Sequence, residues 1–198
     1  MRIIALEGPS FAGKTSILAA LRSLLPADGL VTFGCYVDEI DNRDDVPPAR
    51  TSSAQEQLDA FRVFMRIEAR RVAHLNDRAG SADLVLLDRS VDTLLAHAYA
   101  LDRLFGYGVH EQARELLARL AHLRPDRTFY LDAGPQELQR RRERLAEPFD
   151  SFLLDPDFIT YFRDYFTRKG LARATQVSWI YAEQSLSTVA YTIAQELS

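Results

Sequence analysis

Short apolar runs alternate with longer segments of helical period along this chain. The runs at 2–6, 30–36, 83–88, 127–132 and 176–182 are each bounded by polar or turn residues, the pattern of buried strands. Segments 16–25, 53–79, 91–105, 110–123, 135–146, 156–173 and 185–197 carry apolar residues at helical spacing. Several have legible ends. Leu25-Pro26 closes the first, and Ser53-Ala54-Gln55-Glu56 opens the second with the spacing of a capping box. Pro135 and Pro156 stand at first helical positions, with Asp155 as the cap of the latter. Strands alternating with helices predict an α/β fold with a parallel sheet covered on both faces, whose ligands bind at the carboxyl ends of the strands.

The first strand runs directly into the strongest local signal. Gly8 to Thr15 read G-P-S-F-A-G-K-T, a full match to the phosphate-binding loop pattern, with a strand before it and a helix after it. Glycines let the backbone curl so that successive N–H groups face one phosphate, and the helix adds the positive end of its dipole. Gly8, Ser10, Ala12, Gly13, Lys14, Thr15 and Ser16 are therefore the expected nucleotide contacts. Lys14 is expected to neutralise β/γ-phosphate oxygens and Thr15 to ligate Mg²⁺, so ATP and Mg²⁺ are the expected cofactors. The third strand, Leu84-Val85-Leu86-Leu87-Asp88, ends in a carboxylate followed at once by Arg89-Ser90. Asp88 is expected beside the loop as a second metal contact, and Arg89 at the transferring phosphoryl group.

Composition narrows the classes. The 198 residues, 47% hydrophobic, suit one core and one domain spanning 1–198. A net charge of -4 gives no reason to expect a nucleic-acid surface. No apolar stretch approaches the length of a membrane span, and no cleavage site precedes the loop, so a cytoplasmic protein is expected. The lone Cys35 excludes an intramolecular disulfide and reads as packing at a strand end. His74, His97, His110 and His122 lack metal-ligand spacing.

The stretch Asp88-Arg89-Ser90-Val91-Asp92-Thr93-Leu94-Leu95-Ala96-His97, with Glu7-Gly8 before the loop, Leu131-Asp132 with Pro135, and 180–185 near the end, resembles the thymidylate kinase and deoxynucleoside kinase group. The resemblance implies a three-layer P-loop NTPase fold, a five-stranded parallel sheet flanked by helices, with a helical lid at about 135–155. It implies lid arginines that close on ATP, here among Arg140, Arg141, Arg142 and Arg144, and adenine held near Ala182. Helical spacing puts Arg140 and Arg144 on one face, while Glu137, Glu143 and Glu147 also suit a solvated charged face. The acceptor is implied along 53–79, with Phe61, Phe64, Arg66 and Arg70 as substrate contacts and Arg71 beside them; core packing explains the phenylalanines equally well.

Two departures bear on the acceptor. Ser10 stands where thymidylate kinases commonly carry an Asp, and Phe11 where some carry an arginine. The second strand leads into Tyr36-Val37-Asp38-Glu39 and then Asp41, Arg43, Asp44 and Asp45, an acidic stretch that repels a monophosphate unless Arg43 or Arg50 turns inward. It suits a hydroxyl acceptor better, and the resemblance to deoxynucleoside kinases implies a carboxylate general base here, Asp38 or Glu39; a solvated acidic loop is the alternative reading of both. The expected activity is ATP-dependent transfer to a nucleoside or nucleoside monophosphate, by Lys14, Asp88, Arg89, Asp38 or Glu39, and Arg144. Kinases of another small-molecule hydroxyl and nucleotide-hydrolysing switches are the alternatives. Similar kinases are often homodimers, which the apolar content of 91–105 permits.

Overall fold

Five strands lie parallel in the order β2-β3-β1-β4-β5, with β1 Arg2–Glu7, β2 Leu30–Phe33, β3 Leu84–Asp88, β4 Arg127–Asp132 and β5 Gln176–Tyr181. The computed structural model describes residues 1–78, 80–145, 149–168 and 170–197. Expectations touching Glu147, residues 146–148 of the lid and the Arg43 side chain lie outside the described residues.

The strands bury both faces, as a parallel sheet must when helices cover each side. In β1, Ile4 and Leu6 point to one cluster and Ala5 to another; Leu86 and the flanking Val85 and Leu87 divide the same way in β3. One face is covered by α1 (Lys14–Leu24) and α7 (Leu186–Leu197), through Ile17, Leu18, Leu21, Val189 and Ile193. The other carries α2 (Ala54–Asp77), α3 (Val91–Phe105), α4 (Val109–Leu117) and α6 (Pro156–Thr167). The short α5 (Pro135–Glu143) leaves the end of β4 and packs only Leu138 inward. The expected three-layer arrangement is present, and among the described residues no helix is long and apolar enough to cross a membrane.

The helix ends follow their caps. Ser53 Oγ accepts from Glu56 N at 3.2 Å, but the Glu56 carboxylate turns to the Ser52 amide and hydroxyl instead of closing a reciprocal box. Asp155 Oδ1 accepts from the amides of Asp157 and Phe158, each at 3.0 Å. Several elements are shorter than their apolar patterns, α5 among them, which stops at Glu143. β2 stops at Phe33, and Tyr36–Glu39 forms a 3-10 turn. α4 stops at Leu117. α6 stops at Thr167, because the amides of Arg173 and Ala174 donate to the buried Asp92 carboxylate and hold 173–174 as a loop.

Candidate active site

β1 delivers the chain to the phosphate loop at the carboxyl edge of the sheet. Gly8 has φ +133°, and a Cβ there would stand 2.6 Å from the Leu131 carbonyl oxygen, so no other residue fits. Gly13, at φ +98°, forms the N-cap of α1. Lys14 begins that helix and folds back over the loop, donating to Gly8 O at 3.0 Å and Pro9 O at 2.7 Å. Burial pushes its ammonium down to about 7, helped by Arg89 and opposed by Asp88. Polyphosphate oxygens would supply the counter-charge that two carbonyl oxygens only partly provide.

Strand pairing brings the second motif alongside. Leu6 is opposite Asp88 in the β1–β3 register, and Thr15 Oγ1 donates to Asp88 Oδ2 at 2.5 Å. Asp88 is fully buried, and its Oδ1 is without a hydrogen-bond partner among the described residues. A hydroxyl and a carboxylate oxygen pointing together fit a hard divalent cation such as Mg²⁺. Arg89 follows at φ +71°, a left-handed conformation uncommon for a residue with a side chain. Its Nη1 reaches Gly8 O at 3.5 Å, the same oxygen that accepts from Lys14.

The carboxylate that organises this corner is one the sequence reading leaves without a role. Glu7 is fully buried and accepts from Ser90 N at 2.7 Å, Ser90 Oγ at 2.8 Å and the Thr93 hydroxyl. It thus fixes the peptide after Arg89. Burial raises its pKa to about 7 against the pull of the Thr93 and Ser90 hydrogen bonds. The folded state therefore holds a proton that the unfolded chain has released above about 4.5. Stability falls as pH rises from about 4.5 to about 7, by at most about 1.4 kcal/mol per unit from this group. Glu7→Gln should remove that slope, checked by urea unfolding of both proteins across the window; parallel pH curves would refute it.

Arg71 is the second organiser; expected with Arg66 and Arg70 among the helix arginines that face the acceptor, it is instead buried among backbone and side-chain partners. Only 1% exposed, it donates to Glu39 Oε1 at 2.8 Å, Gly34 O at 2.5 Å and Arg89 O at 3.2 Å, and lies 3.8 Å above the Tyr36 ring. Tyr36 in turn donates to Glu68 at 2.7 Å. One guanidinium therefore joins the ends of β2 and β3 to α2. A helix position four turns into an amphipathic pattern gives no sign of this, because the partners come from other strands.

The expected substrate contacts on α2 divide. Phe61 is 2% exposed, so its ring belongs to the core and offers no open stacking face. Phe64 is half-buried, edge-on to Tyr36 at 6.0 Å. Arg66 is exposed, and Arg70 is exposed with Nη2 donating to Glu39 O at 2.9 Å. Of the two candidate bases, Glu39 is ion-paired to Arg71, whereas Asp38 is exposed on the same turn.

In α5 the arginine that reaches the loop is Arg141. It donates to Ala12 O at 2.9 Å, Phe11 O at 3.3 Å and the Ala182 carbonyl, spanning from the phosphate loop to the end of β5. Arg140 instead pairs with Glu137 in solvent, and Arg144 is exposed at the C-cap. Arg144 keeps a helical conformation at the C-cap, yet among the described residues the α5 arginine that donates to the loop is Arg141 and neither Arg140 nor Arg144. Ser10 and Ala12 lie in the loop, and Ser16 is exposed in the first turn of α1.

No protein-family model matches the chain. It is 30% identical over 144 residues to the thymidylate kinase of Bacillus velezensis, a match covering 70% of this chain and 66% of that relative. Among solved structures, deoxyadenosine kinase from M. mycoides with bound dATP is similar over 98% of both chains, at 14% identity and a TM-score of 0.71. Thymidylate kinase from Candida albicans is similar over 99% of this chain and 90% of that one, at 14% identity and a TM-score of 0.73.

Proposed function

Because the chain belongs to the thymidylate kinase-like and deoxynucleoside kinase-like group of P-loop kinases, we propose that it transfers the γ-phosphoryl group of ATP to a nucleoside or nucleoside monophosphate. The observation that carries this reading is the convergence of Lys14 and Arg89 on one oxygen, Gly8 O, with the Thr15–Asp88 pair alongside. Two cations and an oxygen pair at a helix N-terminus provide for a triphosphate and its Mg²⁺.

Catalysis in this reading is positioning and charge compensation. Thr15 and Asp88 would hold Mg²⁺, which would supply positive charge to offset that of the phosphate oxygens. Lys14 holds the β/γ oxygens, Arg89 faces the group in transit, and Arg141 closes the nucleotide side. The acceptor oxygen attacks phosphorus as the bond to the β–γ bridging oxygen breaks, and ADP leaves. With a hydroxyl acceptor, its proton passes to Asp38, the open carboxylate of the Tyr36–Glu39 turn. A monophosphate acceptor needs no such base.

The test incubates the protein with Mg·ATP and a panel of nucleosides and nucleoside monophosphates, following ADP and phosphorylated product together. The expected result is ADP formed in step with one product. ADP released at the same rate with and without every acceptor would overturn the reading in favour of a nucleotide-hydrolysing protein.

A further inference from the structure

The phosphate loop carries a large apolar side chain that nucleotide chemistry does not use. Phe11 has φ +65°, a conformation that L side chains rarely adopt and glycine adopts freely. Its ring meets Phe149 edge to face, with centroids 4.5 Å apart. Arg142 of α5 lies over the same Phe149 ring at 5.7 Å. Phe11 and Leu154 both pack against the α1/α7 cluster. Phe152 packs on Phe158 of α6 at 4.8 Å, against the opposite cluster. The 149–154 segment is thus fastened to the α6 side by Phe152 and to the phosphate loop by Phe149.

We propose that Phe11 is a positioning residue: its ring docks Phe149, and so holds the Phe149-bearing segment and the Arg141 helix against the loop before nucleotide arrives. This rests on the nucleotide-binding reading above. A site ordered in advance loses less conformational freedom when ATP binds, and its apolar edge keeps water from the phosphates. The ring also accounts for the residue type. A glycine would relieve the backbone at this position, so a phenylalanine there needs a contact that offsets the strain.

The test is a double-mutant cycle on the full chain with Phe11→Gly, Phe149→Ala and the pair. AMP-PNP with Mg²⁺ is the calorimetric probe, and amide exchange at 152–154 is read in the nucleotide-free protein. Each single substitution should weaken analogue binding and raise the KM for ATP about threefold to tenfold, with kcat little changed. The pair should be no worse than the worse single, and Phe149→Tyr should restore binding. Exchange at 152–154 should quicken equally in both singles. Effects that multiply in the pair, or a Phe11→Gly protein that binds and exchanges like the parent, would overturn the proposal. If the parent fails to bind the analogue while exchange still depends on Phe11, the nucleotide reading falls and the docking contact stands.

Discussion

Lys14→Ala should lower ATP-dependent phosphotransfer by about 10²- to 10³-fold, read as ADP and phosphorylated product under saturating Mg²⁺. The size follows from position. Lys14 is 5% exposed and within hydrogen-bond distance of Gly8 O and Pro9 O, so its ammonium lies inside the curl of the loop, where water screens it weakly. Arg89 shares Gly8 O but approaches from the end of β3 and cannot occupy the same place. The loss should not be a folding defect. Burial lowers the folded-state pKa of Lys14 from 10.5 to about 7, so burying it costs stability in full below about 7. That cost fades as pH rises toward 10.5, and alanine removes it. The variant should therefore melt no lower than the parent at neutral pH. Normal transfer by Lys14→Ala would refute the central assignment.

Arg71→Met should destabilise the fold by about 3–5 kcal/mol, measured by urea unfolding at neutral pH. Methionine fills much of the volume but leaves the Glu39 and Glu68 carboxylates without their shared cation and the carbonyls of Gly34 and Arg89 without a donor. Glu68 is 1% exposed and cannot turn to solvent. Arg71→Lys should recover only part of the loss, since a single ammonium cannot reach three elements at fork geometry. The released Arg89 peptide should also depress phosphotransfer in the lysine variant at temperatures where it remains folded. A loss below about 1 kcal/mol for Arg71→Met would mean that the buried network contributes little net energy.

The two predictions rest on features of very different legibility. The loop from Gly8 to Thr15 was readable because its function depends on a local backbone path, and a local path needs particular residues at fixed spacing. Asp88 and Arg89 were readable for a related reason: a run of apolar residues that ends in charge marks where a buried strand emerges. The seven helices and five strands among the described residues follow from periodicity, and their cores agree with it. Where elements fell short, as at the end of α6, a distant carboxylate captured the backbone amides that further helical turns would have used. Periodicity cannot register a partner 81 residues away.

The choice among chemically alike residues was open for the same reason. Arg140, Arg141 and Arg144 differ little in sequence context, yet only Arg141 leaves α5 at the angle that meets Ala12 and Ala182. Asp38 and Glu39 are adjacent, and Arg71 pairs with one of them. Phe61 and Phe64 share a helix, and the packing of α2 on the other helices buries the first. By itself the sequence determined the α/β class, the phosphate loop and the strand-end Asp-Arg pair, because each is encoded by neighbours along the chain. Only the tertiary structure decided that Glu7 and Arg71 hold Arg89 in place, that Arg141 is the arginine at the loop, and that Phe11 meets Phe149. Those roles arise where separate elements converge, and a side chain's direction there is set by how the elements pack rather than by the residues beside it.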